Sequence, residues 1–193
     1  MKTIKRNVLV VVFMLGTLVN YANNKELNNI LNAKKVKVVF KNVKKGQQLK
    51  VKDNNGVVLH SEKITEEGSF SKYFDFSKLN NGNYTLELNK DFQIIIKSIY
   101  IKNGNVNFNE TSKKVIYKPI IRNEKNRLMI SKISFDEQPL EVALYYDNEI
   151  IYSETVKGES IVNRVYKLDK SVTGSYRVVV NNNGRNYINE FKI

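Results

Sequence analysis

Two segments of this chain repeat one another. Leu79 to Leu88 reads LNNGNYTLEL, and Ser171 to Val180, 92 positions later, reads SVTGSYRVVV. The offset persists around them. Leu59-His60-Ser61-Glu62 maps onto Ile151-Tyr152-Ser153-Glu154, Phe74 onto Tyr166, Gly82 onto Gly174, Tyr84 onto Tyr176 and Asn89 onto Asn181. Upstream, Asp53 pairs with Asp147 at 94, so the second copy is read as having a turn two residues shorter. A repeat that keeps register on both sides of a variable turn describes two copies of one domain plan. The 193 residues are accordingly read as two small domains, each of about 75 residues, a size at which hydrophobic burial is marginal.

The period inside each copy is two. Val36, Val38 and Phe40 share one face, then Leu49 and Val51, Val57 and Leu59, then Phe70, Phe74 and Phe76, then Tyr84, Leu86 and Leu88. Alternation of this kind predicts half-buried strands. In the second copy Val142, Leu144 and Tyr146 alternate, and Val162, Tyr166 and Leu168 take the slots of Phe70, Phe74 and Phe76. Turns are expected at Lys45-Gly46, Asn54-Asn55-Gly56, Asn80-Asn81-Gly82, Asn103-Gly104-Asn105 and Asp147-Asn148-Glu149, because Gly and Asn tolerate positive φ. Phe92–Lys97 and Ile99–Lys102 are read as separate strands. The two prolines, Pro119 and Pro139, fall outside any central strand, with Pro119 placed at the edge that opens the second domain.

These patterns predict an all-β protein with β-sandwich domains over 35–110 and 115–193, joined through the polar stretch Asn109 to Lys114. Residues 23–34 read as a short helix or an irregular lead-in. Residues 1–22 read as a signal peptide: Lys2, Lys5 and Arg6, then an apolar run from Val8 to Val19, then a cleavage point after Ala22. An uncleaved anchor is the other reading of that segment, and either places the folded part outside the cytoplasm, in the periplasm, on the cell surface or released. There is no cysteine, which excludes disulfides and thiolate chemistry and leaves burial to hold the fold.

The formal charge is +13. A basic chain suits anionic partners such as nucleic acid, acidic polysaccharide or lipid headgroups. The densest run, from Lys34 to Lys52, alternates with apolar residues, however, and so reads first as the solvated face of strands. Catalytic groups are scarce. His60 is the single histidine, and its counterpart is Tyr152, so neither a histidine metal cluster nor a histidine-based triad is assembled with any support. Glu66-Glu67 and Asp136-Glu137 are adjacent acids without the separation of a glycosidase pair. Asp53-Asn54-Asn55-Gly56 lacks the acid spacing of a calcium loop. No enzyme, cofactor or metal is expected. Tyr73, Tyr100, Tyr145 and Tyr152 are candidates for stacking on sugar rings or anchoring a protein partner.

The glycine-x-tyrosine approach to a strand, Gly82-Asn83-Tyr84 and Gly174-Ser175-Tyr176, resembles the tyrosine corner of immunoglobulin-like and fibronectin type III sandwiches. By that resemblance the four residues Gly82, Tyr84, Gly174 and Tyr176 are structural, the tyrosine hydroxyl bonding back to the main chain and the glycine taking a conformation other residues avoid. Gly56-Val57-Val58-Leu59-His60-Ser61-Glu62 and Phe76 to Tyr84 further resemble the small immunoglobulin-like domains of proteins secreted by the type IX system, including its C-terminal sorting domains, over residues 49–88 and 142–180. The resemblance implies an exported β-sandwich protein. The function expected is binding, adhesion or assembly with protein or glycan, with a secretion-targeting role for the second copy as the alternative. The family's Pro-Asn-Pro opening is replaced here by Tyr117-Lys118-Pro119.

Overall fold

The computed structural model describes residues Lys35 to Ile193; the leader and lead-in expected over 1–34 lie outside the described residues. Fifteen strands follow one another: β1 (Lys35–Val43), β2 (Gln48–Asp53), β3 (Val58–Lys63), β4 (Gly68–Asp75), β5 (Gly82–Asn89), β6 (Gln93–Lys102), β7 (Asn105–Phe108), β8 (Lys114–Tyr117), β9 (Ile120–Glu124), β10 (Arg127–Ile133), β11 (Leu140–Tyr146), β12 (Glu149–Val156), β13 (Ile161–Lys167), β14 (Ser175–Asn182) and β15 (Arg185–Lys192). Among the described residues no helix is long and apolar enough to cross a membrane.

The chain divides into two compact units. In the first, β1 pairs with β4, and the second sheet runs β3-β2-β5-β6-β7. In the second, a three-stranded sheet β13-β10-β9 accompanies a four-stranded sheet β12-β11-β14-β15. The equivalence is one of register as well as order. Val36 stands opposite Phe74 and Phe40 opposite Phe70 in the first unit, and Leu128 stands opposite Tyr166 and Lys132 opposite Val162 in the second. Each of those positions differs by 92. Period-two alternation is what places them, since in β10 Leu128, Ile130 and Lys132 point inward while Arg127 and Ile133 are exposed.

The core of the second unit joins both sheets: Leu128 and Ile130 from β10, Val162 from β13, Val142 and Leu144 from β11, and Tyr176, Val178 and Val180 from β14. The first unit buries Val38, Phe40, Leu49, Val51, Phe74, Tyr84, Leu86, Leu88, Ile99 and Ile101. Two sheets sharing one apolar interior, with polar residues alternating outward, define an immunoglobulin-like sandwich.

Two expectations change. The two strands read at 92–102 are one ten-residue strand, β6, because the exposed Ser98 leaves the alternation of Ile99 and Ile101 unbroken. Asn89–Ile95, read with the first domain, belongs to the second compact unit; the Lys118 N–H donates to the Phe92 carbonyl at 2.9 Å, and β8 pairs with β6. The turn expected at 54–56 is present and joins the antiparallel pair β2 and β3. Only Gly56 takes positive φ there (81°), and the Asp53 carboxylate organises it by accepting the N–H groups of Asn55 and Val57 at 2.9 and 2.8 Å. The shorter second-copy turn puts positive φ on Asp147 and Asn148 (44° and 72°), so Glu149 in place of glycine costs nothing there.

Each unit also buries a lysine. Lys97 lies with its ammonium 5.3 Å from the Phe40 ring and 5.7 Å from Phe108, donating to the Glu110 carbonyl at 2.8 Å. Lys132 occupies the slot equivalent to Phe40 and donates to the Ser134 hydroxyl at 3.0 Å. Burial lowers both ammonium pKa values.

Candidate binding cleft of the second unit

The two corner tyrosines have matched geometry. Tyr84 donates its hydroxyl to the Asn80 carbonyl at 2.9 Å, and Tyr176 to the Val172 carbonyl at 3.0 Å, each four residues back. Burial is the first cause raising the Tyr176 pKa, with Tyr146 beside it. The two glycines differ. Gly82 has φ +154°, and a Cβ added there would find only the Tyr84 ring, at 3.9 Å, so its backbone conformation is what favours glycine. Gly174 lies outside the left-handed region. A Cβ there would meet the Tyr146 ring at 2.6 Å and its hydroxyl oxygen at 2.9 Å. The turn conformation expected of Gly174 is therefore replaced by a close approach: the missing side chain makes room for Tyr146.

That ring belongs to a larger arrangement. Tyr146 donates to the Thr173 carbonyl at 3.1 Å and lies 5.1 Å, centroid to centroid, from Tyr176, which stacks on Phe191. At the open edge of the sandwich, Tyr152 of β12 and Tyr166 of β13 lie 5.6 Å apart. Leu144 and Ile151 join these tyrosines around an open cleft of about 510 Å³ in the second unit. Tyr152 is 44% exposed over it.

A polar cluster holds this edge. The Tyr166 hydroxyl donates to the Glu154 carboxylate, and burial followed by that carboxylate drives its pKa above the ordinary tyrosine range. Arg164 Nε stands 3.5 Å from Glu154, and its two terminal nitrogens grip Glu159 at 2.6 and 3.2 Å. The hydrogen bond from Arg164 holds the Glu159 carboxyl below its usual value. Because β12 and β13 belong to different sheets, the cluster ties the sheets together where no backbone ladder does. The first unit carries the same device slot by slot: Lys72 bonds Glu62 at 2.6 Å, and His60 meets Phe74 edge-on at 5.8 Å. His60 Nε2 is 3.4 Å from Glu62 Oε1, so the single histidine sits in an edge cluster whose counterpart in the other unit is tyrosine.

The remaining sequence candidates scatter. Tyr73 and Tyr100 are exposed strand residues of the first unit. Tyr145 lies under the Arg177 guanidinium at 4.3 Å. Glu66 and Glu67 are exposed. Asp136 accepts from Asn183 at 2.7 Å and lies 3.7 Å from Lys132. Burial works against its charge, but these partners more than offset it and lower its pKa. Only Tyr152 among the four stacking candidates reaches the cleft. Tyr146 and Tyr166 read as core positions in the sequence, because their alternation matches the buried face; the substitution of tyrosine for Phe74 at 166 is the one available signal.

The cleft presents aromatic faces over an apolar floor with a charged rim. Such a surface accommodates a flat ring with apolar C–H faces, or an apolar side chain of a partner. Fold and site together define an all-β protein of two immunoglobulin-like sandwich units, one of which carries an aromatic cleft at its open edge. No family model matches the chain, and no curated protein matches it in sequence. Among solved structures it is similar to the BSP domain of a biofilm-associated protein, with 13% identity and TM-score 0.28 over 76% of this chain and 24% of that one. It is also similar to native alpha-2-macroglobulin from Escherichia coli spanning domains MG0-NIE-MG1, with 13% identity and TM-score 0.29 over 84% and 56% of the two chains. A third is the human OSCAR ligand-binding domain, at 7% identity and TM-score 0.24 over 83% and 90%. The chain thus spans about a quarter and about half of the first two.

Proposed function

We propose that this is an extracytoplasmic, non-enzymatic binding protein that acts in adhesion or assembly with a glycan or protein through the second unit's cleft. The observation that carries the reading is Tyr152, 44% exposed beside Tyr166, whose hydroxyl is tied down by Glu154. A large aromatic face held in place from behind binds at low entropic cost. The extracytoplasmic setting rests on the leader pattern of residues 1–22. The test is Tyr152→Ala against the parent protein on a panel of immobilised polysaccharides and envelope proteins. Loss of retention with unchanged thermal unfolding supports the cleft; equal retention of both proteins removes it.

The secretion-targeting alternative rests on the likeness of residues 142–180 to type IX sorting domains. It predicts that a reporter followed by residues 115–193 reaches the cell surface of a type IX-competent host with its C-terminus trimmed. A reporter kept intact in the periplasm ends that reading.

A further inference from the structure

We infer that the ligand of this cleft is an acidic polysaccharide, its sugar ring against Tyr152 and Tyr166 and its carboxylate or sulfate groups on Lys167, Lys170 and Arg127. The inference rests on the cleft reading and adds the ligand's chemistry. Lys167, Leu168 and Asp169 line the tyrosine cleft on one side and, on the other, an open hollow of about 740 Å³ that Arg127 and Lys170 complete. Asn126 pins this segment, donating to the Leu168 carbonyl at 3.0 Å and accepting the Leu168 N–H at 2.8 Å. The tyrosine cleft and the group of cations thereby share three consecutive lining residues, Lys167 to Asp169.

The first unit supplies an internal comparison. There the equivalent ladder position pairs Lys35 with Asp75, opposite charges facing one another. In the second unit the same position pairs Arg127 with Lys167. Like charges directly opposite on neighbouring strands are unfavourable. Arg127 has Glu124 on its other flank, and Asp169 accepts the Ser171 N–H and hydroxyl at 2.9 and 2.7 Å. Among the residues that line the hollow, three cations thus outnumber the single carboxylate of Asp169, which already has two donors. A general surplus of lysine accounts for solvated strand faces; it does not account for a cation where the other copy keeps an acid, beside tyrosines where the other copy has His60 and Phe74. Both changes fall on the two sides of one short segment, and both suit a ring that carries negative charge.

The experiment measures binding of the protein to polygalacturonate, heparin, neutral dextran and poly-glutamate at physiological salt. Lys167→Asp restores the charge pairing of the first unit and is expected to keep or raise the melting temperature while weakening polyuronate or heparin binding about tenfold or more. Lys102→Asp, in the first unit, changes net charge equally and is expected to alter binding by less than about twofold under that screening. Tyr152→Ala is expected to weaken the same polymers. Polygalacturonate against heparin separates carboxylate from sulfate as the preferred group. Equal losses from Lys167→Asp and Lys102→Asp overturn the site in favour of diffuse electrostatics. Tight poly-glutamate binding that ignores Tyr152→Ala overturns the sugar. Binding to dextran that depends on Tyr152 but not Lys167 overturns the acidic ligand and leaves the cleft reading standing, whereas acidic-polymer binding that depends on Lys167 but not Tyr152 overturns the cleft reading itself.

Discussion

Replacing Gly174 with alanine tests how the corner and the cleft are joined. The backbone there accepts alanine, so the cost falls on Tyr146, whose ring carbon would stand 2.6 Å from the new Cβ. Gly174 itself is not free to shift, because its N–H and carbonyl both bond Ile193, at 3.1 and 3.2 Å. The ring must swing away, losing its bond to Thr173 and its contact with Tyr176. An exposed hydrogen bond contributes about 0.5–1 kcal/mol, and an aromatic pair about 0.5–1.5 kcal/mol. Gly174→Ala is therefore expected to cost about 1–2.5 kcal/mol, which for a domain of this size lowers the melting temperature by roughly 4–8 °C per kcal/mol. Tyr146→Ala removes the obstacle, so in that background the alanine at 174 is expected to cost almost nothing, and a double-mutant cycle in urea reads the difference. If Gly174→Ala costs the same with and without the Tyr146 ring, the steric account is wrong.

Other outcomes follow from the same geometry. Tyr84→Phe and Tyr176→Phe each keep the ring and delete one hydroxyl bond, so each is expected to lose about 1 kcal/mol by denaturant titration; unchanged stability for both would remove the structural role of the corner. Gly82→Ala meets only an ordinary contact with the Tyr84 ring but a backbone region favouring glycine, and is expected to cost about 1–3 kcal/mol that no second substitution at Tyr84 relieves. Asp75, Asp136, Glu159 and Asp169 all have carboxyl pKa values below the ordinary range when folded. Their contribution is complete above the unfolded carboxylate values and is lost as pH falls through the folded ones, so stability is expected to drop below about pH 4. Circular dichroism of Asp75→Asn and Asp169→Asn should show a shallower acid loss. Lys132 has linkage of the same sign in a more alkaline window: with its folded pKa lowered by burial, the unfolded chain binds the extra proton, and stability rises with pH up to the ordinary lysine range. Lys132→Met is expected to remove that rise and to leave neutral-pH stability equal or higher; a loss above about 3 kcal/mol would show that the contacts of the Lys132 ammonium with Ser134 and Asp136 outweigh its desolvation.

The alternation of apolar residues and the 92-residue offset determined, from the chain alone, the all-β class and the doubling of the plan. Both depend on local geometry: side chains alternate along any strand, and burying one face of each strand requires a second sheet. The pairing of Leu128 with Tyr166 at the register of Val36 with Phe74 repeats that determination twice. Tertiary structure alone decided why Gly174 is glycine, because the side chain it accommodates arrives from β11, 28 residues away in sequence. It also decided that Tyr146, Tyr152 and Tyr166 meet at one open edge, and that Arg127 faces Lys167 where the first copy pairs Lys35 with Asp75. Such meetings depend on which strands are brought edge to edge, and strand order is a long-range property that the period of a single strand does not encode.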